Sequence, residues 1–162
     1  MTAEPNLGPD QAQPAMVGWR EWVQLPDLDM PPIKAKVDTG ARTSCLHAFA
    51  VEAVDVNGTA HVRFAVHPRR RHPDPEVCCE APILDQRLVT DSGGHREMRY
   101  VIRSRVILGP YQFTADFTLT NRDDMMFRML LGREALTNRF TVDPSQSYLL
   151  GKKPATARSV QP

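Results

Sequence analysis

Short runs of alternating apolar and polar residues, broken at close intervals by turn signals, confine this chain to a β-rich fold. In residues 113–120, Phe113, Ala115, Phe117 and Leu119 fall on one side of a strand. Residues 49–56 alternate likewise, Asn57-Gly58 predicts a tight hairpin turn, and residues 61–66 return. Further strands are expected over residues 19–25 (stopped by Pro26), 33–37, 88–90, 97–108, 129–131, 140–142 and 148–150. The Pro- and Arg-rich stretch 68–82 predicts a surface loop, and only residues 133–137 read as helix. Many short strands with one short C-terminal helix predict an all-β, closed, barrel-like fold. Residues 1–16 read as a disordered lead-in, 17–150 as the folded domain, and 151–162 as a flexible tail.

Composition narrows the function classes. A net charge of +1 gives no global reason to expect nucleic acid or a membrane as partner. Sixteen of the 20 basic residues are arginine, the side chain that grips carboxylates in a fork, so an acidic partner fits. Cys45, Cys78 and Cys79 have neither metal-ligand spacing nor an even count, which predicts reduced thiols. No signal-peptide core or membrane-length apolar run is visible, and the expected location is the cytoplasm.

Two segments carry chemistry. Strand 33–37 delivers Asp38-Thr39-Gly40, a carboxylate on a tight turn that Gly40 would permit and the Thr39 hydroxyl would tie down. About ninety residues later come Leu130-Leu131-Gly132-Arg133-Glu134 and the expected helix. Between them, Ser92, Gly93, Gly94 and His95 form a glycine-rich hairpin tip flanked by strands, suited to a mobile flap. His61, His67, His72 and the adjacent cysteines form no zinc-binding signature, and no phosphate-binding loop is present, so no metal or other cofactor is expected.

The combination of Asp38-Thr39-Gly40-Ala41-Arg42-Thr43-Ser44, Ser92-Gly93-Gly94 with Arg99, and Leu130-Leu131-Gly132-Arg133-Glu134 resembles one bacterial family. It is the RimK-associated, retropepsin-like (RimB-like) family, long labelled "ATP-dependent zinc protease". The resemblance covers residues 17–150. It implies a dimeric aspartic endopeptidase acting on oligoglutamate tails that a RimK-type ligase adds to a ribosomal protein.

Aspartic peptidases need two carboxylates sharing one proton. This chain has one Asp-Thr-Gly and no internal repeat, so the second Asp38 would come from a second copy in a symmetric homodimer. Asp38, Thr39 and Gly40 are the expected catalytic loop, with Ala41 at the floor. Arg42, Thr43, Arg99 and Arg133 would contact substrate, with Ser92 to His95 as flap. Retroviral relatives carry an Asp where Arg42 stands, paired with the arginine of the Gly-Arg segment. Here either Glu134 or another carboxylate compensates, or Arg42 and Arg133 both face the groove and favour a polyanionic peptide. The alternative is a non-catalytic module that binds acidic peptides in the same groove.

Overall fold

The computed structural model describes residues 13–68, 76–122, 125–152 and 154. Twelve strands and one short α-helix are present among them. The strands are β1 (Ala15–Val17), β2 (Arg20–Val23), β3 (Ile33–Val37), β4 (Ser44–His47), β5 (Phe49–Val56), β6 (Thr59–Val66), β7 (Val77–Pro82), β8 (Asp85–Thr90), β9 (Arg96–Leu108), β10 (Tyr111–Thr120), β11 (Met129–Leu131) and β12 (Phe140–Val142), and α1 is Arg133–Leu136. The all-β class follows from the alternation itself. In β3, Ile33, Ala35 and Val37 are buried while Lys34 and Lys36 point outward. The β5–β6 turn has positive φ at both Asn57 and Gly58, the geometry that matches the twist of a hairpin.

Seven strands form the main sheet in the order β2-β3-β11-β4-β10-β9-β8, with β5-β6-β7 and β1-β12 as smaller sheets. Leu25, Ile33, Leu46, Ile102, Leu108, Phe117, Met129 and Leu131 are fully buried in one continuous core. Among the described residues the expected closed barrel does not form. Among the described residues the β2 side meets β9 through a single backbone bridge, between Gln24 and Ile107, before Pro26 turns the chain into a 3-10 turn whose Asp27 bonds Arg105.

Three other expectations are corrected. Residues 77–82, placed in a surface loop, are strand β7, which pairs with β6 and buries Cys79 and Ala81. Pro82 is tolerated because it ends an edge strand. Ala15 and Met16, placed in the lead-in, belong to β1, which pairs in parallel with β12. Residues 148–150, expected as a strand, form a turn with Tyr148 at φ 55°. Arg69, Arg70, Arg71, His72, Asp123 and Asp124 lie outside the described residues.

The turn at 148–150 is held by a buried carboxylate. Glu21 is fully enclosed, and its oxygens accept the backbone N–H groups of Gly18 (2.7 Å), Leu149 (2.9 Å) and Leu150 (3.1 Å). Truncation strands three donors, each at about 1–3 kcal/mol. Glu21→Ala is therefore expected to lose at least ~3 kcal/mol in urea unfolding, and Glu21→Gln, which keeps one acceptor oxygen, markedly less. Equal stability of Glu21→Ala and wild type would show that the clamp contributes nothing.

Candidate active site

The Asp38 loop is positioned by a strand inserted from far along the chain. β3 and β4 flank the loop but are not hydrogen-bonded neighbours, because β11 lies between them, parallel to β3 and antiparallel to β4. The loop therefore arches over the end of β11 and is stitched to it. Asp38 N donates to Leu131 O (2.9 Å), Arg133 N to Ala41 O (2.8 Å) and Glu134 N to Arg42 O (3.0 Å). Gly132 N donates to the buried Ser44 hydroxyl at 3.0 Å. Ser44 closes the motif that carries the resemblance, but a serine there gives no local sign of an inward hydroxyl. Gly132 passes so close that a Cβ there would meet Thr43 C at 2.7 Å and Ala41 O at 2.9 Å.

The carboxylate itself is half-buried at the lip of the loop, with Thr39 and Gly40 exposed beside it. Gly40 N donates to Asp38 Oδ1 at 3.0 Å, which fixes the carboxylate's orientation. Oδ2 has no hydrogen bond among the described residues. The turn is thus tied by Asp38 itself rather than by the Thr39 hydroxyl. Gly40 is not in the left-handed region; its lack of a side chain matters because a Cβ would sit 3.2 Å from Asp38 Oδ1. Thr39 takes part through its carbonyl, which accepts from Arg133 Nη1 at 2.9 Å.

Glu134 pairs with Arg42, at the position of the missing loop carboxylate, whereas Arg133 bonds the Thr39 carbonyl. Arg42 Nε lies 3.1 Å from Glu134 Oε2, and the Thr43 hydroxyl is 3.4 Å from Glu134 Oε1. Arg42 and Arg133 both remain at the surface. Arg99 lies on β9, with Nη1 3.8 Å from Sγ of Cys45, the residue after Ser44. It is buried under β8–β9, with Nε 2.7 Å from Glu97 Oε1 and Nη1 3.4 Å from the Thr118 hydroxyl. Across the register from Arg99 is Arg87, whose Nη1 reaches the Thr43 hydroxyl at 3.3 Å. No local motif marks Arg87, because its approach to Thr43 exists only once β8 has zipped onto β9.

Ser92, Gly93, Gly94 and His95 form the exposed tip of the β8–β9 hairpin. Asp91 Oδ1 accepts the backbone N–H groups of Gly93 and His95, each at 2.9 Å, and Gly94 has φ +87°. The His95 N–H, then the Gly93 N–H, holds the Asp91 carboxyl below its ordinary value. Cys45 is buried beside Arg99, and burial pushes its thiol pKa up, so it is not an activated nucleophile. His61 Nδ1 lies 3.1 Å from Thr59 O and His67 stacks on Phe49, while Cys79 contacts Leu28 O. Among the described residues no three His, Cys, Asp or Glu side chains converge as a metal site, and no helix is long and apolar enough to cross a membrane.

This arrangement, one carboxylate on a loop clamped by an apolar-Gly segment and followed by a short helix, agrees with the family match over residues 16–153, described as "Retropepsin-like aspartic endopeptidase RimB". The chain belongs to the RimB-like family. A crystal structure of a Legionella pneumophila protein of unknown function has the same fold, with a TM-score of 0.68 and 27% identity, covering 84% of this chain and 98% of that one. Curated relatives include proteins named "Probable alpha-L-glutamate ligase". That of Parasynechococcus marenigrum is 46% identical over 136 residues, 84% of this chain and 29% of the relative. That of Shewanella pealeana is 44% identical over 138 residues, 85% of this chain and 30% of the relative. The chain thus spans about 30% of the length of the curated relatives it matches.

Proposed function

We propose that this protein is an aspartic endopeptidase, active as a homodimer, that hydrolyses peptide bonds in oligoglutamate tails, with a ribosomal protein as the modified partner in the cytoplasm. The observation that carries the proposal is the Asp38 loop: a clamped carboxylate with one oxygen committed to Gly40 and the other without a hydrogen bond among the described residues. Brought face to face, two such carboxylates hold one proton between them. The ionised member takes a proton from a water lying between them, and the water oxygen attacks the peptide carbonyl carbon. The protonated member donates to the carbonyl oxygen. Collapse of the tetrahedral intermediate then expels the amine, which leaves protonated. Ala41 forms the floor, Ser92 to His95 close over the substrate and exclude water, and Arg42 and Arg133 attract its carboxylates.

The acidic substrate class is supported by the surface arginines at the loop and by the names of the relatives. A region similar to this chain lies within proteins named "Probable alpha-L-glutamate ligase", and that name supports a glutamate-containing substrate. Those same names favour a second reading, in which the domain holds an acidic tail without cutting it.

Mass spectrometry of an α-linked oligoglutamate peptide incubated with the protein from acidic to neutral pH separates the two. The peptidase cleaves it, and faster than a neutral peptide of equal length. Its rate falls on both sides of the pH window in which the carboxylate pair binds one proton. Intact peptide at every pH, together with saturable binding, would replace the peptidase by the binding module.

A further inference from the structure

We propose that Arg87, on the flap hairpin, binds a side-chain carboxylate of the substrate beside Thr43 of the Asp38 loop; the inference rests on the acidic-substrate reading above. Arg87 and Arg99 are direct cross-strand partners on β8 and β9, and like charges so placed repel unless anions neutralise them. Arg99, itself buried, holds the exposed Glu97 at 2.7 Å and also bonds Thr118. Among the described residues the pair of Arg87 is the longer one, on an arginine about a third exposed rather than buried. Its Nε lies 3.2 Å from Asp85 Oδ2, on a half-exposed side chain two residues away, and its Nη1 lies 3.3 Å from the neutral Thr43 hydroxyl.

The polarity of the cluster sets the direction of recognition. A hydroxyl has one proton to give, and Thr43 directs its own at Glu134 Oε1 while accepting from Arg87. Glu134 is in turn occupied by Arg42 at 3.1 Å. Arg87 therefore reaches the Asp38 loop as a guanidinium whose contacts are a weak hydroxyl and a solvent-screened local pair. A carboxylate entering between flap and loop can take the fork of Arg87 bidentately and displace both at little cost. Because Arg87 rides on the flap hairpin, that same contact links the substrate to β8, which ends at Thr90 just before the flap tip.

The test uses an Asp38→Asn background, so that binding is read without turnover, with a fluorescein-labelled oligoglutamate peptide followed by polarisation. Arg87→Ala is expected to weaken binding about tenfold or more, and Arg87→Lys to recover part of it, since lysine keeps the charge but loses the fork. Arg63→Ala, which removes an equal charge from the separate three-stranded sheet, should bind like the parent. In otherwise wild-type protein, Arg87→Ala should raise KM for the acidic peptide several-fold more than for a neutral peptide of equal length. Equal loss for both peptides would reduce Arg87 to a structural strut of the flap, and unaltered binding would remove it from recognition. If no peptide is cut by the wild type and Arg87→Ala still abolishes binding, the subsite stands and the peptidase reading falls. If cleavage is normal and Arg87→Ala changes nothing, the reverse holds.

Discussion

Asp38→Asn is expected to lower peptide hydrolysis by about 100- to 10,000-fold, the range a positioned acid–base group supplies, while the protein remains folded. The separation between activity and stability follows from the contacts of the loop. An asparagine Oδ1 can still accept the Gly40 N–H now 3.0 Å away, and the backbone bonds from Asp38 N to Leu131 O and from Arg133 N to Ala41 O are untouched. The variant should therefore unfold within about 0.5 kcal/mol of the wild type, as surface substitutions do. What it loses is a group able to take a proton from water. Retention of wild-type rates would remove Asp38 from the chemistry; a collapsed melting transition would show that the clamp depends on the charge.

Gly132→Ala is expected to damage both fold and activity from beneath the loop. An added Cβ would lie 2.7 Å from Thr43 C, 2.8 Å from Thr43 O and 2.9 Å from Ala41 O, and all three are backbone atoms that cannot rotate away. Overpacking of this kind costs about 1–3 kcal/mol, which for a domain of this size lowers Tm by roughly 2–4 °C per kcal/mol. Relief of the clash pushes the Asp38 loop outward, and displacement of a catalytic group by about 1 Å costs on the order of 100-fold in rate. Gly40→Ala is the informative contrast. Its Cβ would approach only Asp38 Oδ1, at 3.2 Å, so activity should fall with little change in Tm. If Gly132→Ala were as stable and active as wild type, the close crossing of β11 under the loop would not be what holds the carboxylate.

The parts legible from the sequence are those whose signal is local. β3 alternates Ile33, Ala35 and Val37 with lysines and appears at the expected bounds, and Asn57-Gly58 makes its hairpin. β7 was hidden because the adjacent cysteines and Pro82 blur its alternation, and its burial is decided by β6. The turn at 148–150 has a strand-like composition but is fixed by Glu21, some 130 residues earlier in the chain. The absence of barrel closure was equally out of reach, since it depends on how β2 meets β9. At the site, Asp38 was legible as a motif, whereas its setting was not. The Arg42–Glu134 pair joins residues 92 apart and the Arg87–Thr43 contact residues 44 apart, and neither pairing leaves a periodic trace.

The central claim is that two copies of Asp38 make one active site, and mixing measures it directly. Wild type and Asp38→Asn would be co-refolded at fixed total concentration and varied ratio, and the rate of oligoglutamate cleavage recorded against the wild-type fraction. A dyad shared across a two-fold axis predicts a rate that follows the square of that fraction, about a quarter of full activity in an equal mixture. A rate proportional to the wild-type fraction, about half in the equal mixture, would mean that each chain works alone and would contradict the account.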